Sequence, residues 1–106
     1  MKVSNVLGSG FLEKVYENAL VIELEKSGLD AQQQKLLFVY YDGFIVGQYS
    51  PDVLVCNKVI LELKAVQKID VIHMAQLLNY LKASQFKTGL ILNFGAPRLE
   101  IKRLRL

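Results

Sequence analysis

Charged side chains interrupt two apolar stretches near the middle of the chain. Asp52 follows a proline, and Glu62 and Lys64 lie within the apolar run 59–65. Because side chains alternate between the two faces of a strand, Glu62 and Lys64 are expected to point to the same side. Asp52, on the neighbouring strand of a hairpin, is expected to reach that space as well. The spacing therefore predicts a compact site of two carboxylates and one ammonium group.

These groups suit metal-assisted hydrolysis of a phosphodiester bond. Mg²⁺ prefers oxygen ligands, and one or two carboxylates typically hold it while water and phosphate complete its coordination. The cation lowers the pKa of a water molecule and clamps the phosphate oxygens. A lysine beside it orients that water or neutralises charge that develops on the phosphate. Asp52, Glu62 and Lys64 are thus candidate catalytic residues.

A solvated ion pair is the simpler explanation for Glu62 and Lys64. A Glu-x-Lys triplet is common by chance, and spacing alone favours an exposed pair on a strand. The apolar sequence around the triplet argues for a functional site, since burying an unpaired charge is costly. The Pro-Asp pair one hairpin earlier supports the same interpretation.

Two helices are predicted from the spacing of apolar residues. A three- and four-residue period over 11–26 predicts the first helix, which starts at Ser9 or Gly10 and has Gly28 just past its end. Asp70 is a plausible N-cap for the second helix, which runs to about residue 83. The polar residues 30–35 are expected to form a connection.

Strands fill most of the remaining sequence. A three-stranded antiparallel meander is predicted over residues 36–41, 44–56 and 59–65. Asp42-Gly43 forms its first turn, and Pro51 bends the second strand. Residues 88–94 and 99–106 predict two later strands, the first of them parallel to 59–65 after the second helix. The sequence thus predicts an α/β fold with the order α-β-β-β-α-β-β, in which the helices pack on a mixed sheet.

Size and composition limit the class of protein. The 106 residues fit one domain, and the 52% hydrophobic content hints at an additional buried face such as a homodimer contact. No apolar run approaches the ~20 residues that cross a bilayer, and no export signal is evident. One cysteine, Cys56, suits the cytoplasm, and a single histidine excludes a zinc site of the usual Cys/His type. A net charge of +3 is compatible with a polyanionic partner.

Several segments together resemble a known superfamily. Asp52, the Glu62-Leu63-Lys64 triplet and the order of elements are similar to the PD-(D/E)XK nucleases. More closely, residues 10–16 match the pattern of the GxxExxY family of small prokaryotic proteins, a branch of that superfamily, and residues 76–81 and 93–95 resemble its later segments. The resemblance covers nearly the whole chain, although family members usually carry another helical stretch before the glycine segment.

The resemblance implies further site residues on the helices. Superfamily members often supply an acidic residue from the first helix, and Glu13 fits that position. Glu17, one turn later, is a second candidate, although a solvated helix face explains it better. A glutamine near the lysine would be Gln76, which shares a polar stripe with His73 and Tyr80. Solvent exposure is the usual explanation for such a stripe, and a lone histidine is more often structural than a ligand.

Taken together, the residues and the resemblance predict a single restriction-endonuclease-like domain over residues 1–106. Asp52, Glu62 and Glu13 are expected to bind Mg²⁺ or Mn²⁺, while Lys64 and Gln76 complete the catalytic set. The resemblance implies a nucleic-acid substrate, with DNA favoured, and the small size favours a homodimer. The alternative is a non-catalytic module that keeps the nuclease fold for nucleic-acid or protein binding, and another phosphate-bearing substrate also stays open.

Overall fold

Three helices and seven strands make up the computed structural model, which describes residues 1–106. The helices are α1 (Lys2–Leu7), α2 (Glu13–Lys26) and α3 (Val71–Ala83). The strands are β1 (Ala31–Gln33), β2 (Leu37–Tyr41), β3 (Phe44–Tyr49), β4 (Val53–Val55), β5 (Val59–Lys64), β6 (Thr88–Asn93) and β7 (Glu100–Arg105). None of the helices combines the length and the apolar character that crossing a membrane requires.

Five strands form one mixed sheet in the order β1-β4-β5-β6-β7, and β2 and β3 form a separate hairpin. Within the five-stranded sheet only β5 and β6 run parallel, and helix α3 makes the connection between them. The other neighbours are antiparallel. Strand β5, which carries Glu62 and Lys64, therefore lies in the middle of the sheet, with hydrogen-bonded neighbours on both sides.

Apolar side chains cover both faces of the sheet and divide the core in two. On the α2 side, Leu61 and Leu63 of β5 pack with Tyr16 and Leu20 of α2. On the α3 side, Ile60 of β5 joins a cluster that includes Tyr49, Leu54, Ile69, Leu77, Leu81, Phe86 and Ile91. Fully burying one such side chain contributes about 1.5–3 kcal/mol. The alternation along β5 thus fixes which face each side chain takes, and Glu62 and Lys64 share the α3 side with Ile60.

The structure confirms the mixed sheet, the second helix and the last two strands. Asp70 is the N-cap of α3, since its carboxylate accepts a hydrogen bond from the backbone N–H of Ile72 at 3.0 Å. The imidazole Nδ1 of His73 accepts one from the backbone N–H of Asp70 at 3.0 Å, which completes a capping box. His73 therefore has the structural role that the sequence favoured.

The predicted three-stranded meander is wrong. The chain leaves the β2–β3 hairpin after Tyr49, and β4 pairs with β1 and β5 in the other sheet. Pro51 lies at the break, where it has no N–H to offer a strand partner. Residues 30–35, predicted as a connection, contain β1. Because β1 is a short edge strand of mostly exposed polar residues, it lacks the apolar alternation that would have identified it.

The predicted first helix begins too early, and part of its predicted apolar side is exposed to solvent. Helix α2 starts after Leu12, because the chain before it is held in place by Tyr16. The Tyr16 hydroxyl donates to the carbonyl of Gly8 at 2.7 Å and accepts from the backbone N–H of Phe11 at 3.1 Å. Four of the apolar residues that give the predicted helix its three- and four-residue period are exposed: Phe11, Leu12, Val15 and Ile22. The C-terminal prediction is correct, since Gly28 has φ +80° just past the helix end.

The chain that follows β5 is held against the end of β6. The buried Asn93 side chain accepts hydrogen bonds from the backbone N–H groups of Val66 and Gly95, each at 3.0 Å. Its amide donates to Glu100 at 3.1 Å, and Glu100 in turn accepts from the N–H of Ile69 at 2.9 Å. A Cβ on Gly95 would collide with the backbone N and O of Val66. This close contact fixes the chain directly after the lysine at the end of β5.

We expect Gly95→Ala to destabilise the protein by about 1–3 kcal/mol, the usual cost of forcing an extra carbon into a packed site. The matched control is Gly47→Ala in β3, where a Cβ would meet only Val39 Cβ at 3.9 Å. Chemical unfolding followed by circular dichroism measures both variants. Equal stability of the two would show that the chain after β5 moves aside easily.

Candidate active site

The β4–β5 pairing brings Asp52 to Glu62. Val53 lies opposite Leu61, and continuing that register by one residue places Asp52 opposite Glu62. The Asp52 carboxylate is fixed by a hydrogen bond of 2.7 Å from the backbone N–H of Leu63 to Oδ2. The predicted grouping of Asp52, Glu62 and Lys64 is therefore present at the middle of the sheet.

Glu62 is the most perturbed acid in the site. Its Oε1 atom is buried and has no hydrogen-bond partner. The pKa of Glu62 is raised to about 8, first by burial and then by the negative charge of Asp52 and a hydrogen bond with Asp52, while the charge of Lys64 acts in the opposite direction. Two carboxyl groups in one partly dry site cannot both ionise easily without a compensating positive charge. The pair is thus poised to take up a proton or a cation.

Lys64 has no polar partner within the protein. It is half-buried and makes no salt bridge and no side-chain hydrogen bond, so its charge reaches Glu62 through space only. The solvated ion pair that spacing alone favoured for Glu62 and Lys64 is therefore wrong. The backbone of Lys64 is fixed within the sheet, because Lys64 pairs with Asn93 of β6.

Glu17 of α2 is joined to Asp52 by a glutamine. Glu17 is buried, with 4% of its surface exposed, and the interpretation of a solvated helix face is wrong. Its Oε2 accepts from Lys14 Nζ at 2.8 Å and from Gln33 Nε2 at 2.7 Å. The Gln34 amide donates to Glu17 Oε1 at 3.1 Å and to Asp52 Oδ1 at 3.2 Å. One amide group thus holds two carboxylates in fixed positions.

Gln34 adopts a backbone conformation that side-chain-bearing residues rarely take. Its φ is +53°, in the left-handed region. Its backbone N–H also donates to the carbonyl of Asp52 at 3.2 Å. Such strain persists only when surrounding contacts enforce it. The sequence held no signal for this role beyond three consecutive glutamines in a segment predicted as a connection.

The other predicted residues lie apart from this group. Glu13 is exposed and makes no hydrogen bond or salt bridge, so Glu17, and not Glu13, connects α2 to Asp52. Gln76 is also exposed, and its amide donates to the Tyr80 hydroxyl at 2.9 Å. It makes no hydrogen bond with Lys64. The roles proposed for Glu13 and Gln76 from resemblance stay predictions.

An aromatic pair lies beside Glu62 and was missed in the sequence. The rings of Tyr49 and Tyr80 stack with centroids 4.2 Å apart and planes 6° from parallel. Burial raises the pKa of Tyr49, and the nearby charge of Glu62 adds to that rise. Tyr49 ends β3, so it brings the base of the hairpin next to the carboxylates. No local pattern in the sequence marks that long-range contact.

The oxygen atoms of the site suit a hard divalent cation. Glu62 Oε1 lacks a partner, and a cation would relieve the repulsion between Asp52 and Glu62. No cluster of three or more His, Cys, Asp and Glu side chains is present. Mg²⁺ is usually held by only one or two carboxylates, with water and phosphate as further ligands, so two are enough.

Comparison with known proteins places this arrangement in a family. The sequence model of the PD-(D/E)XK nuclease superfamily matches residues 1–104. The structure is similar to that of SSO0001, with TM-score 0.66 and 16% identity, over 87% of this chain and 48% of that one. It is also similar to an alkaline exonuclease (LHK-Exo) from Laribacter hongkongensis, with TM-score 0.51 and 14% identity, over 87% and 55% of the two chains.

This chain spans about half the length of those two proteins. At such identities the structural similarity establishes the fold, which is the nuclease-like mixed sheet predicted from the sequence. No curated protein matches the sequence. The match of the superfamily model over nearly all residues establishes the family: the chain belongs to the PD-(D/E)XK nuclease superfamily.

Proposed function

We propose that this protein is a divalent-metal-dependent nuclease that hydrolyses phosphodiester bonds in nucleic acid, with DNA as its substrate. The observation that carries the proposal is the pairing of Asp52 with Glu62, whose Oε1 is buried without a partner, beside an uncommitted Lys64. Family membership supports a nuclease-type function. Residues 10–16 favour the GxxExxY branch of the superfamily.

Asp52 and Glu62 are the residues that would hold Mg²⁺ or Mn²⁺, and proteins of this superfamily generally depend on a divalent metal ion. Such an ion, when bound, supplies Lewis acidity toward a phosphate oxygen. Asp52 is oriented for this task by the N–H of Leu63 and by Gln34. Glu62 would contribute its Oε1 atom, which has no hydrogen-bond partner. Glu13 is a further candidate ligand by resemblance alone.

Lys64 would act on the substrate. Its ammonium group stands on the same face as Glu62, and it has no partner within the protein to give up. A preformed positive charge at that position stabilises negative charge that develops on the phosphate, or orients the attacking water. Gln76 would assist only after leaving Tyr80, its present partner.

The proposal extends to the binding of a polyanionic substrate, the oligomeric state and the cellular location. A net charge of +3, with Lys102, Arg103 and Arg105 on the edge strand β7, is compatible with binding a polyanion. We propose a homodimer, since a domain of 106 residues has little surface beyond the site. We also propose a cytoplasmic location, because a single exposed cysteine suits a reducing compartment.

Cleavage of DNA with Mg²⁺ or Mn²⁺ tests the catalytic assignment. We expect Asp52→Asn and Lys64→Met each to lower the rate at least ~100-fold, the usual cost of removing a group that stabilises developing charge. Lys58→Met, in the β4–β5 turn, is the matched control and should cut normally. If the folded native protein does not cut, the non-catalytic module takes precedence. If all variants cut equally, the activity belongs to a contaminant.

Metal-free stability should depend on pH through Glu62. The pKa of Glu62 is about 8 in the folded protein against 4.5 normally, so the folded state holds this proton more tightly than the unfolded state. Its stabilising contribution is complete below pH 4.5 and is lost as the pH rises through about 8. One pKa unit corresponds to ~1.4 kcal/mol, so we expect a loss of a few kcal/mol.

Glu62→Gln, which mimics the protonated acid, should remove most of that pH dependence. Thermal unfolding of both proteins between pH 4 and 9, once in chelator and once in Mg²⁺ without chelator, measures it. Mg²⁺ should restore the thermal stability of the native protein at high pH and leave the stability of the Glu62→Gln variant unchanged. Parallel stability profiles for the two proteins would contradict a raised pKa at Glu62.

Gln34 should act as a positioning residue for the metal site. Gln34→Ala leaves Asp52 Oδ1 and Glu17 Oε1 without a donor, and loss of such a supporting contact typically weakens metal binding about 10–100-fold. Gln33→Ala is the matched control, because Gln33 contacts Glu17 and Asn18 but not Asp52. Titration calorimetry with Mn²⁺ measures both. Equal affinities for the two variants would reduce Gln34 to a purely structural role.

A further inference from the structure

Asn93 is a buried polar residue that has no role in the site described above. Its side chain is 0% exposed, and Glu17 is the one other buried residue with a polar or charged side chain. Burying an amide costs free energy unless its hydrogen bonds are made. Glu17 is connected to Asp52 through Gln34, which accounts for its position. The burial of Asn93 needs a separate explanation.

Asn93 lies next to Lys64, at the end of the two central strands. The two residues are paired across the parallel strands β5 and β6, and each is the last residue of its strand. Paired residues of neighbouring strands point to the same face, so both side chains lie on the α3 side. Chain segments open most easily where an element ends. A lysine at the end of a strand therefore depends on contacts that keep the strand closed there.

The Asn93 side chain continues the hydrogen bonding of the sheet past Lys64. The Lys64 carbonyl accepts from the backbone N–H of Phe94 at 2.8 Å. The N–H of Val66, two residues later, finds no backbone acceptor on the neighbouring strand and donates to Asn93 Oδ1 at 3.0 Å. The N–H of Gly95 donates to the same oxygen at 3.0 Å. One side-chain oxygen thus holds both chains at the point where they separate.

Glu100 of β7 fixes the Asn93 amide from the other side. It lies opposite Asn93 in the sheet, and its Oε1 accepts from Asn93 Nδ2 at 3.1 Å and from the N–H of Ile69 at 2.9 Å. These two hydrogen bonds lower the pKa of Glu100, so its carboxylate is ionised at neutral pH. An ionised acceptor makes a stronger hydrogen bond than a neutral one. Asn93 and Glu100 together hold the chain after Lys64 at two points, Val66 and Ile69.

We propose that Asn93 is a positioning residue for Lys64, which holds the end of β5 closed and so keeps the ammonium group in place for the substrate phosphate. Lys64 has no polar partner of its own, so its backbone is what fixes the side chain. Asn93 makes no hydrogen bond with Asp52 or Glu62, and its influence passes through Lys64. The catalytic consequence rests on the nuclease function proposed above, whereas the positioning itself does not.

Amide hydrogen exchange tests the positioning without a substrate. The reporter is the N–H of Phe94, which bonds to the Lys64 carbonyl and not to the Asn93 side chain. Asn93→Ala should raise its exchange rate at least ~10-fold relative to the amides of β4, because two buried N–H groups lose their acceptor and the strand end opens.

Leu81→Ala is the matched control for a general loss of stability. Leu81 is 0% exposed and lies in the last turn of α3, and its apolar side chain makes no hydrogen bond. This variant should not raise exchange selectively at Phe94. Chemical unfolding checks that each variant is folded. If Asn93→Ala does not fold, Glu100→Ala takes its place, since it removes one partner of the Asn93 amide, and a smaller selective increase at Phe94 is expected.

DNA cleavage in two backgrounds tests the catalytic consequence. Asn93→Ala should lower kcat about 10–100-fold with little change in KM, as a small displacement of a catalytic group does. In a Lys64→Met background the same substitution should have no further effect, because residues that act as a unit are not additive. Leu81→Ala should have the same effect on the rate in both backgrounds.

Unchanged exchange at Phe94 in the folded variant would overturn the proposal. A loss of rate as large in the Lys64→Met background as in the native one would do the same, since Asn93 would then act through something other than Lys64. A native protein that does not cut, together with selective exchange at Phe94, would contradict the nuclease function alone and support the positioning of Lys64.

Discussion

The repulsion between two carboxyl groups held together by a sheet is the constraint on which the site depends. The β4–β5 pairing leaves Asp52 and Glu62 no freedom to separate, and apolar neighbours remove much of the water that would screen them. The protein therefore stores an unfavourable charge arrangement that a proton relieves at low pH. A divalent cation, as proposed, would relieve it where the acids are ionised. Active sites commonly carry this kind of local cost, and the apolar core on both faces compensates for it.

The surrounding contacts oppose that repulsion by fixing the acids in place. Asp52 is held by a backbone N–H and by the Gln34 amide, which also holds Glu17, and Glu17 is neutralised by Lys14. Lys14 and Lys64 thus lie at the two ends of a series of three acids, Glu17, Asp52 and Glu62, while Glu62 Oε1 keeps no hydrogen-bond partner. Helix α2 thus contributes to the site through Glu17, although its contacts with Asp52 are indirect.

Local patterns predicted the centre of the site, and long-range contacts explain what they missed. The alternation along β5 was sufficient to place Glu62 and Lys64 on one face, and Pro51 marked the approach to Asp52. The apolar period of α2 did not predict which of its residues are buried. Its apolar side chains lie on two faces of the helix, and only one of these faces packs on the sheet. The burial of Glu17 depends on Gln33 and Gln34, which come from a strand too short and too polar to show a pattern. Such contacts appear only when distant segments meet.

The short turn between β4 and β5 also bears on how the protein reaches its fold. Only residues 56–58 separate the two strands, so Asp52 and Glu62 meet through a local contact. By contrast, β5 meets β6 only after α3 has closed a long crossover, and Glu17 arrives from a distant helix. Local contacts generally form before distant ones. Asp52 and Glu62 therefore come together through closure of a short loop, whereas the burial that raises the pKa of Glu62 requires segments that are distant in the sequence.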